Sequence, residues 1–432
     1  MTTIDKTYQY RREEPDSRPP FEFQAQSSQG QQSWNFERLL SPVSVQTFID
    51  TYWGKFPLLI RSNCANNFAN LTSIAEVESY LSLKGVLEDQ TVVLRSRDRP
   101  MRRKFESLSE MYEDMQQGSS LQLREMERFL APTAPLRLLF NDMIRVLQHP
   151  GDSISCFITP PNCELLGPHH DETEIFTLQI TGSKRWKLFH RVTAQEPGTY
   201  TDDELDAPAC EFTLNPGDIL YHPRGQIHEV VSENNTAYSI TFVIRPLTWH
   251  KLLDEAVKTA GRQVEFIEQL PAGLLLQPNA PQHIAKVFEE KLTHLVTHIA
   301  DCNANDFIQN LSKELIYNLP SPIGSHLEAP LKQVPLTLES RLISRVNDQY
   351  LLTTDEQTEK VLLTLAGGAS LRMPLSLKSA LDELLSFRGP FQIRQIDDAL
   401  SDNSKCILAK KLLNLGAITF AQKKALTQNE PT

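Results

Sequence analysis

No stretch of the chain reaches the roughly 18 to 20 consecutive apolar residues that a membrane span needs, and the N-terminus, MTTIDKTYQY, has no apolar run resembling a secretory signal. A membrane partner is therefore not expected, and a cytoplasmic or other reducing compartment is. Nor is there a C-x-x-C pair: Cys64, Cys156, Cys163, Cys210, Cys302 and Cys406 lie scattered, which argues against a structural zinc site and a disulfide framework. Basic charge is not in excess either. The 43 Lys and Arg against 54 Asp and Glu leave a formal charge of −11, so the whole molecule should repel phosphates and no direct nucleic-acid partner is expected. Internal repeats are not evident.

What is present is length and a changing rhythm. The 432 residues suggest two or three domains, each large enough to bury a core without staples. Residues 1–33, rich in Gln, Ser, Arg and Glu and poor in aliphatics, are expected to be a flexible tail. A helical support opens at Trp34, with Phe48, Tyr52 and Trp53 along one side, and leads into a strand at Pro57–Ile60. From Leu71 to Leu147 the pattern is mostly helical, broken by a strand at Thr91–Ser96 and by Pro132 and Pro135. From Ser153 to about Val243, short apolar runs such as SISCFIT, EIFTLQI, RWKLF, DILYH and YSITFVI are separated by Gly, Pro, Asn and Asp, the rhythm of an antiparallel barrel or sandwich. These stretches form one expected domain, 34–246. Three helical patterns then suggest a bundle or a dimer interface over 247–330. Short strands and two helices over 331–432 are compatible with a winged helix.

The chemistry concentrates in the strand-rich region. In GPHHDETEIFTLQITGSKRWKLF, His169 and Asp171 lie two apart where a strand begins, so an extended backbone puts both on one face and His170 on the other. A further histidine, His228, follows in NPGDILYHPRGQIHEVV. Two imidazoles and one carboxylate on neighbouring strands make the facial triad of non-haem Fe(II), which leaves positions open on one side of the ion. An H-x-D alone is weak, since it also fits a core histidine beside a surface aspartate. The strand-rich setting, P-G-D and the downstream R-G-x-x-H sharpen it. In KRWKLF, Lys184 shares a face with Trp186 and Leu188, so it is the one charge directed at a largely apolar interior. Such an ammonium needs an anionic partner, unless it snorkels out of the barrel mouth.

Taken together, G-P-H-x-D…E-I-F-T-L-Q-I-x-G-x-K-R-W and P-G-D-I-L-Y-x-P-R-G-x-I-H resemble the JmjC oxygenases, specifically their ribosomal-oxygenase branch. The resemblance covers the whole barrel, and the later helical and winged-helix-like segments follow in the order of that branch. It implies an α+β chain whose catalytic part is a double-stranded β-helix (jelly-roll or cupin) barrel with flanking helices. It implies Fe(II) and 2-oxoglutarate as cofactors, O2 as co-substrate, and hydroxylation of a protein side chain with release of succinate and carbon dioxide. His169, Asp171 and His228 fall on the metal triad and Lys184 on the residue that binds the far carboxylate of 2-oxoglutarate. Ser155 and Phe157 match positions near the cosubstrate where Asn and Tyr are common, and Ser239 matches a polar position there.

Other residues keep two readings. Thr177 and Gln179 are either pocket donors or sheet-surface polar groups, and His222, where the family usually has an apolar residue, is read as structural or as a neighbour of the metal ligands. The arginines of 95–103 and 124–128 read as a solvated basic loop or a charged wall at the barrel mouth. The acidic run Asp202–Asp206 reads as a face for a basic substrate or as solvent-facing. The expected function is hydroxylation of a protein, a ribosomal one foremost, by a homodimer. The alternatives are a tailoring oxygenase acting on a peptide natural product or precursor and a catalytically idle partner-binding scaffold.

Overall fold

The computed structural model describes residues 21–25, 34–82, 92–96, 99–102, 105, 107–131, 134–164, 166–192, 197–270, 280–319, 335–346, 350–397 and 399–421. The chain divides into two compact units, Met1–Pro246 and Leu247–Thr432.

In the first unit the strands are β1 (Glu22–Gln24), β2 (Leu58–Arg61), β3 (Val92–Ser96), β4 (Arg99–Arg102), β5 (Ser120–Leu123), β6 (Gly151–Thr159) and β7 (His169–His170). They continue with β8 (Glu174–Thr181), β9 (Lys184–Arg191), β10 (Gly198–Thr199), β11 (Cys210–Leu214), β12 (Ile219–His222), β13 (Gln226–Ser232) and β14 (Ala237–Ile244). They build a nine-stranded sheet, β1-β2-β12-β8-β14-β6-β5-β3-β4, and a five-stranded sheet, β10-β7-β13-β9-β11. From β6 onward the chain passes repeatedly from one sheet to the other. This is the cupin-like jelly roll that the strand rhythm and the resemblance lead one to expect.

Parity explains which face of the large sheet goes where. On β6, β8 and β14, Ile154, Cys156, Phe176, Leu178, Tyr238, Ile240 and Phe242 are buried on one side, and Ser155, Thr177, Ser239 and Thr241 alternate with them on the other. The apolar side is covered by helical segments. Phe36 and Phe48 place their rings 5.7 and 5.5 Å from Phe176. Helix Pro135–Leu147, started by a proline in its first turn, buries Leu136, Leu139, Phe140, Met143, Ile144 and Leu147 at helical spacing. Each such side chain contributes roughly 1.5 to 3 kcal/mol of burial. Gly151 lets this helix close on β6, because a Cβ there would meet Ile144 Cδ1 at 2.4 Å and Phe140 Cζ at 2.6 Å.

Three expectations are corrected. Of the segment 1–33, only 21–25 is described, and it holds a strand where a flexible tail was expected: β1 pairs in parallel with β2. The polar composition of the whole segment hides the local pattern, in which Phe21 and Phe23 alternate and reach Phe212 at 5.4 Å and Tyr52 at 6.4 Å. The continuous helix expected from Trp34 is broken after Leu40, where Pro42 cannot supply a helical N–H. Last, the mostly helical reading of the stretch to Leu147 omitted β4 and β5, short strands that extend the large sheet.

The second unit opens with helices Trp249–Ala260, Ala280–Asp301 and Ala304–Asn318. They are followed by β15 (Arg341–Ser344), β16 (Tyr350–Asp355), β17 (Lys360–Leu365), β18 (Ser370–Pro374), β19 (Phe391–Gln392) and β20 (Ile418–Phe420), with helices Lys378–Ser386 and Asp402–Leu415. The strands form two three-stranded sheets, β19-β15-β20 and β16-β17-β18. Residues 247–432 fall in one compact unit. The amide of Gly367 donates to the carbonyl of Ile316 at 3.2 Å. The Tyr317 ring lies where a side chain on Gly368 would be, 2.4 Å from an ideal Cβ, so helix and sheet share packing.

Candidate active site

Between the two sheets lies a cavity of about 590 Å³ whose wall includes His169, Asp171, His228, Lys184, Ser155, Phe157 and Ser239. These are the site residues expected from the sequence, and the fold brings all of them together. The large sheet supplies the hydroxyl-bearing wall from β6, β8 and β14. The small sheet supplies Lys184 and Trp186 from β9 and His228 and Val230 from β13.

His169 and His228 face each other as ladder partners across β7 and β13. Their donor atoms and those of Asp171 all lie within 4.8 Å of one another, and His228 Nε2 is 3.8 Å from Asp171 Oδ2. His169 Nδ1 sits 2.9 Å from the Gly167 carbonyl, and His228 Nδ1 sits 3.0 Å from the Gln226 carbonyl. A carbonyl only accepts, so each Nδ1 carries the proton and each Nε2 keeps its lone pair for a metal. Burial, and after it the neighbouring His169, hold the His228 imidazole well below its ordinary range, in the neutral form that a cation needs. Two imidazoles and a carboxylate fit a divalent Fe(II)-type ion with open coordination positions.

Lys184 is buried, and its Nζ donates to Ser239 Oγ at 2.9 Å and lies 5.6 Å from the centre of the Phe157 ring. Among the described residues no carboxylate pairs with it. Desolvation lowers it to about 8, and the ammonium is left facing a cavity with no anion to balance it. That is the environment a dicarboxylate would complete. Ser155 Oγ is 3.4 Å from Ser153 Oγ on the same wall.

The residues with two readings separate. Thr177 lines the cavity, whereas Gln179 donates to the carbonyls of Thr181, Gly182 and Tyr238 and braces the β8–β9 turn. His170 is outside the group of candidate metal ligands and its Nδ1 is 2.9 Å from the Tyr200 hydroxyl. His222 is buried beside the ligands, its ring 4.5 Å from His228 and 5.8 Å from Trp186. Arg95 and Arg124 are on the cavity wall, while Arg128 is an exposed partner of Glu125 at 3.0 Å. Arg97 and Arg103 lie outside the described residues. Asp202–Glu204 form an exposed turn capped by Thr201. Two further wall residues were not singled out from sequence. Trp186 stacks 5.5 Å from His228, and its parity with Lys184 was the available signal. Arg245 bridges Asp152 and Glu172, a pairing that no local pattern announces.

Residues 136–252 match the JmjC domain family. The chain is 26% identical over 361 residues to ribosomal oxygenase 2 of Mus musculus, covering 76% of this chain and 75% of that one. It is also 26% identical over 285 residues to the bifunctional lysine-specific demethylase and histidyl-hydroxylase NO66 of Aedes aegypti, covering 61% of this chain and 44% of that one. Among solved structures, YcfD, a ribosomal oxygenase from Escherichia coli in complex with cobalt and 2-oxoglutarate, aligns with a TM-score of 0.51 at 19% identity. That alignment covers 88% of this chain and 99% of the other.

Proposed function

We propose, from the premise that residues 136–252 belong to the JmjC domain family, that this protein is an Fe(II)- and 2-oxoglutarate-dependent oxygenase hydroxylating a side chain of a ribosomal protein. The observation that carries the reading is the combination of a His-Asp-His group and an unbalanced buried lysine on the wall of one cavity. Relatives named ribosomal oxygenase and histidyl-hydroxylase point the same way for the substrate class.

His169, Asp171 and His228 would hold the metal, through Nε2 of each imidazole and the Asp171 carboxylate. Lys184, oriented by Ser239, would bind the far carboxylate of 2-oxoglutarate, with Ser155 and Phe157 on the wall beside it. With the metal bound, O2 and 2-oxoglutarate supply the oxidation: one oxygen atom enters the substrate C–H bond, the other enters succinate, and carbon dioxide leaves. The chain's own part is to orient these groups and keep bulk water out, for which Trp186, Ile175, Val230 and Val243 provide the apolar wall.

A cytoplasmic setting agrees with a ribosomal target, and no described helix is long and apolar enough to cross a membrane. We read residues 331–432 as a winged-helix-like packing or partner-binding element rather than a nucleic-acid reader. In its last helix Lys405 is buried and donates to the Arg394 carbonyl at 3.0 Å, which removes one positive charge from any binding face.

The test is proteomics on ribosomes and whole lysate incubated with the purified protein, Fe(II), ascorbate and 2-oxoglutarate. One ribosomal peptide should gain a single oxygen only when all components are present, and not with Asp171→Ala. Turnover of 2-oxoglutarate without any modified protein would replace this reading with the peptide natural-product oxygenase. No turnover at all would replace it with the partner-binding scaffold.

A further inference from the structure

Asp171 is the one candidate ligand that no strand holds. His169 and His228 are fixed opposite each other in a ladder, but β7 ends at His170 and β8 begins only at Glu174. The carboxylate therefore hangs from a turn, and its position depends on what pins that turn. Three contacts do. The Gly225 amide donates to the Asp171 carbonyl at 2.8 Å, and the buried Glu174 carboxylate accepts from the Tyr221 hydroxyl. The third lies at the cavity mouth, where Glu172, next in the chain, meets Arg245 with Nη1 and Oε1 2.9 Å apart.

Arg245 is well placed to be an anchor. It follows β14 directly, its own amide donates to the Pro150 carbonyl at 2.9 Å, and its Nε and Nη2 both reach Asp152 Oδ1, at 3.0 and 2.8 Å. The rigid guanidinium fork thus joins the start of β6, the end of β14 and the ligand turn, with one edge for each carboxylate. We propose that Arg245 is a positioning residue for Asp171, setting the metal-binding carboxylate through its ion pair with Glu172 while Asp152 fixes the guanidinium plane.

This rests on reading His169, Asp171 and His228 as the metal ligands. The size of the effect follows from exposure. Arg245 is 50% exposed, Glu172 34% and Asp152 35%, so water and salt screen the pairs. The loss should fall below the 10- to 100-fold typical of groups that orient metal ligands, and about 3- to 10-fold is expected.

The experiment is titration of the full-length metal-free protein with Co(II), read by visible absorption. Arg245→Gln and Glu172→Gln should each weaken Co(II) binding by about 3- to 10-fold, with the melting temperature of the metal-free protein near that of the parent. The double variant should bind no worse than Arg245→Gln, because both changes break one link. Arg245→Lys should fall between, and the gap to the parent should narrow at about 1 M NaCl, where the Debye length is about 3 Å. Parent-like affinity in both single variants, or losses that multiply in the double variant, would overturn the proposal. Asp171→Ala is the control on the premise. If it binds Co(II) like the parent, the ligand assignment has failed, and the role of Arg245 with it.

Discussion

Lys184 holds a charge where burial opposes one. With Nζ on Ser239 Oγ and no carboxylate beside it among the described residues, desolvation brings it from 10.5 to about 8. That difference corresponds to about 3 kcal/mol of unfavourable charging in the ligand-free site. A bound dicarboxylate reverses it by supplying the missing anion. The sign of the pH dependence follows. Below pH 8 the free site is already an ammonium and binds the dicarboxylate at full strength; above it, binding must first add a proton to the lysine. Affinity for 2-oxoglutarate, measured calorimetrically with Co(II) present, should therefore fall about tenfold per pH unit above about 8. Lys184→Met should bind weakly with no such slope, and Lys184→Arg should bind without the alkaline loss. A slope that survives in Lys184→Met would assign the titration to another group.

At the scale of the element, the turn between β12 and β13 shows how a backbone constraint becomes a site constraint. Gly225 has φ +75°, and a Cβ there would come within 1.9 Å of the Val192 carbonyl oxygen. Its amide holds Asp171, and its carbonyl receives the Val192 amide, both at 2.8 Å. Any side chain must move either the turn or Val192. Gly225→Ala is expected to cost about 1 to 3 kcal/mol and to weaken Co(II) binding through both Asp171 and the start of β13. Gly167→Ala is the comparison, since no atom of the described residues lies within 4 Å of a Cβ there. Thermal melts and metal titration of the two variants separate the cases. Equal behaviour would mean that the turn relaxes without disturbing the ligands.

For the whole molecule, association is the open property. Helix Trp249–Ala260 exposes Trp249, Leu253 and Val257, and helix Ala280–Asp301 exposes Phe288, Leu292 and Val296. Each set is spaced four residues apart, so each helix carries an apolar stripe that is exposed among the described residues. We read these stripes as supporting the expected homodimer. Light scattering should give about twice the 49.1 kDa chain mass for the parent. Leu253→Glu combined with Leu292→Glu should give a monomer, because each chain would have to bury two charges in the interface. A monomeric parent at micromolar concentration, or a variant that stays dimeric, would rule out association through these helices.

The strand rhythm of the barrel and the facing of Lys184 are legible in the residues alone, because a period of two carries that information locally, whereas Asp171 lies in the turn after β7, where strand parity does not reach. His228 was already a candidate from its strand-rich setting; the resemblance added Ser239, Ser155 and Phe157, and all four line one cavity. What depends on partners distant in the chain came from the fold. It separated Thr177 from Gln179, set Trp186 and His222 against His228, joined Arg245 to Asp152 and Glu172, and made a strand of 22–24 on the edge supplied by β2. A side chain's facing follows from its neighbours along the strand, but its partners follow from sheet order and crossings. Those are fixed only when the whole chain has packed.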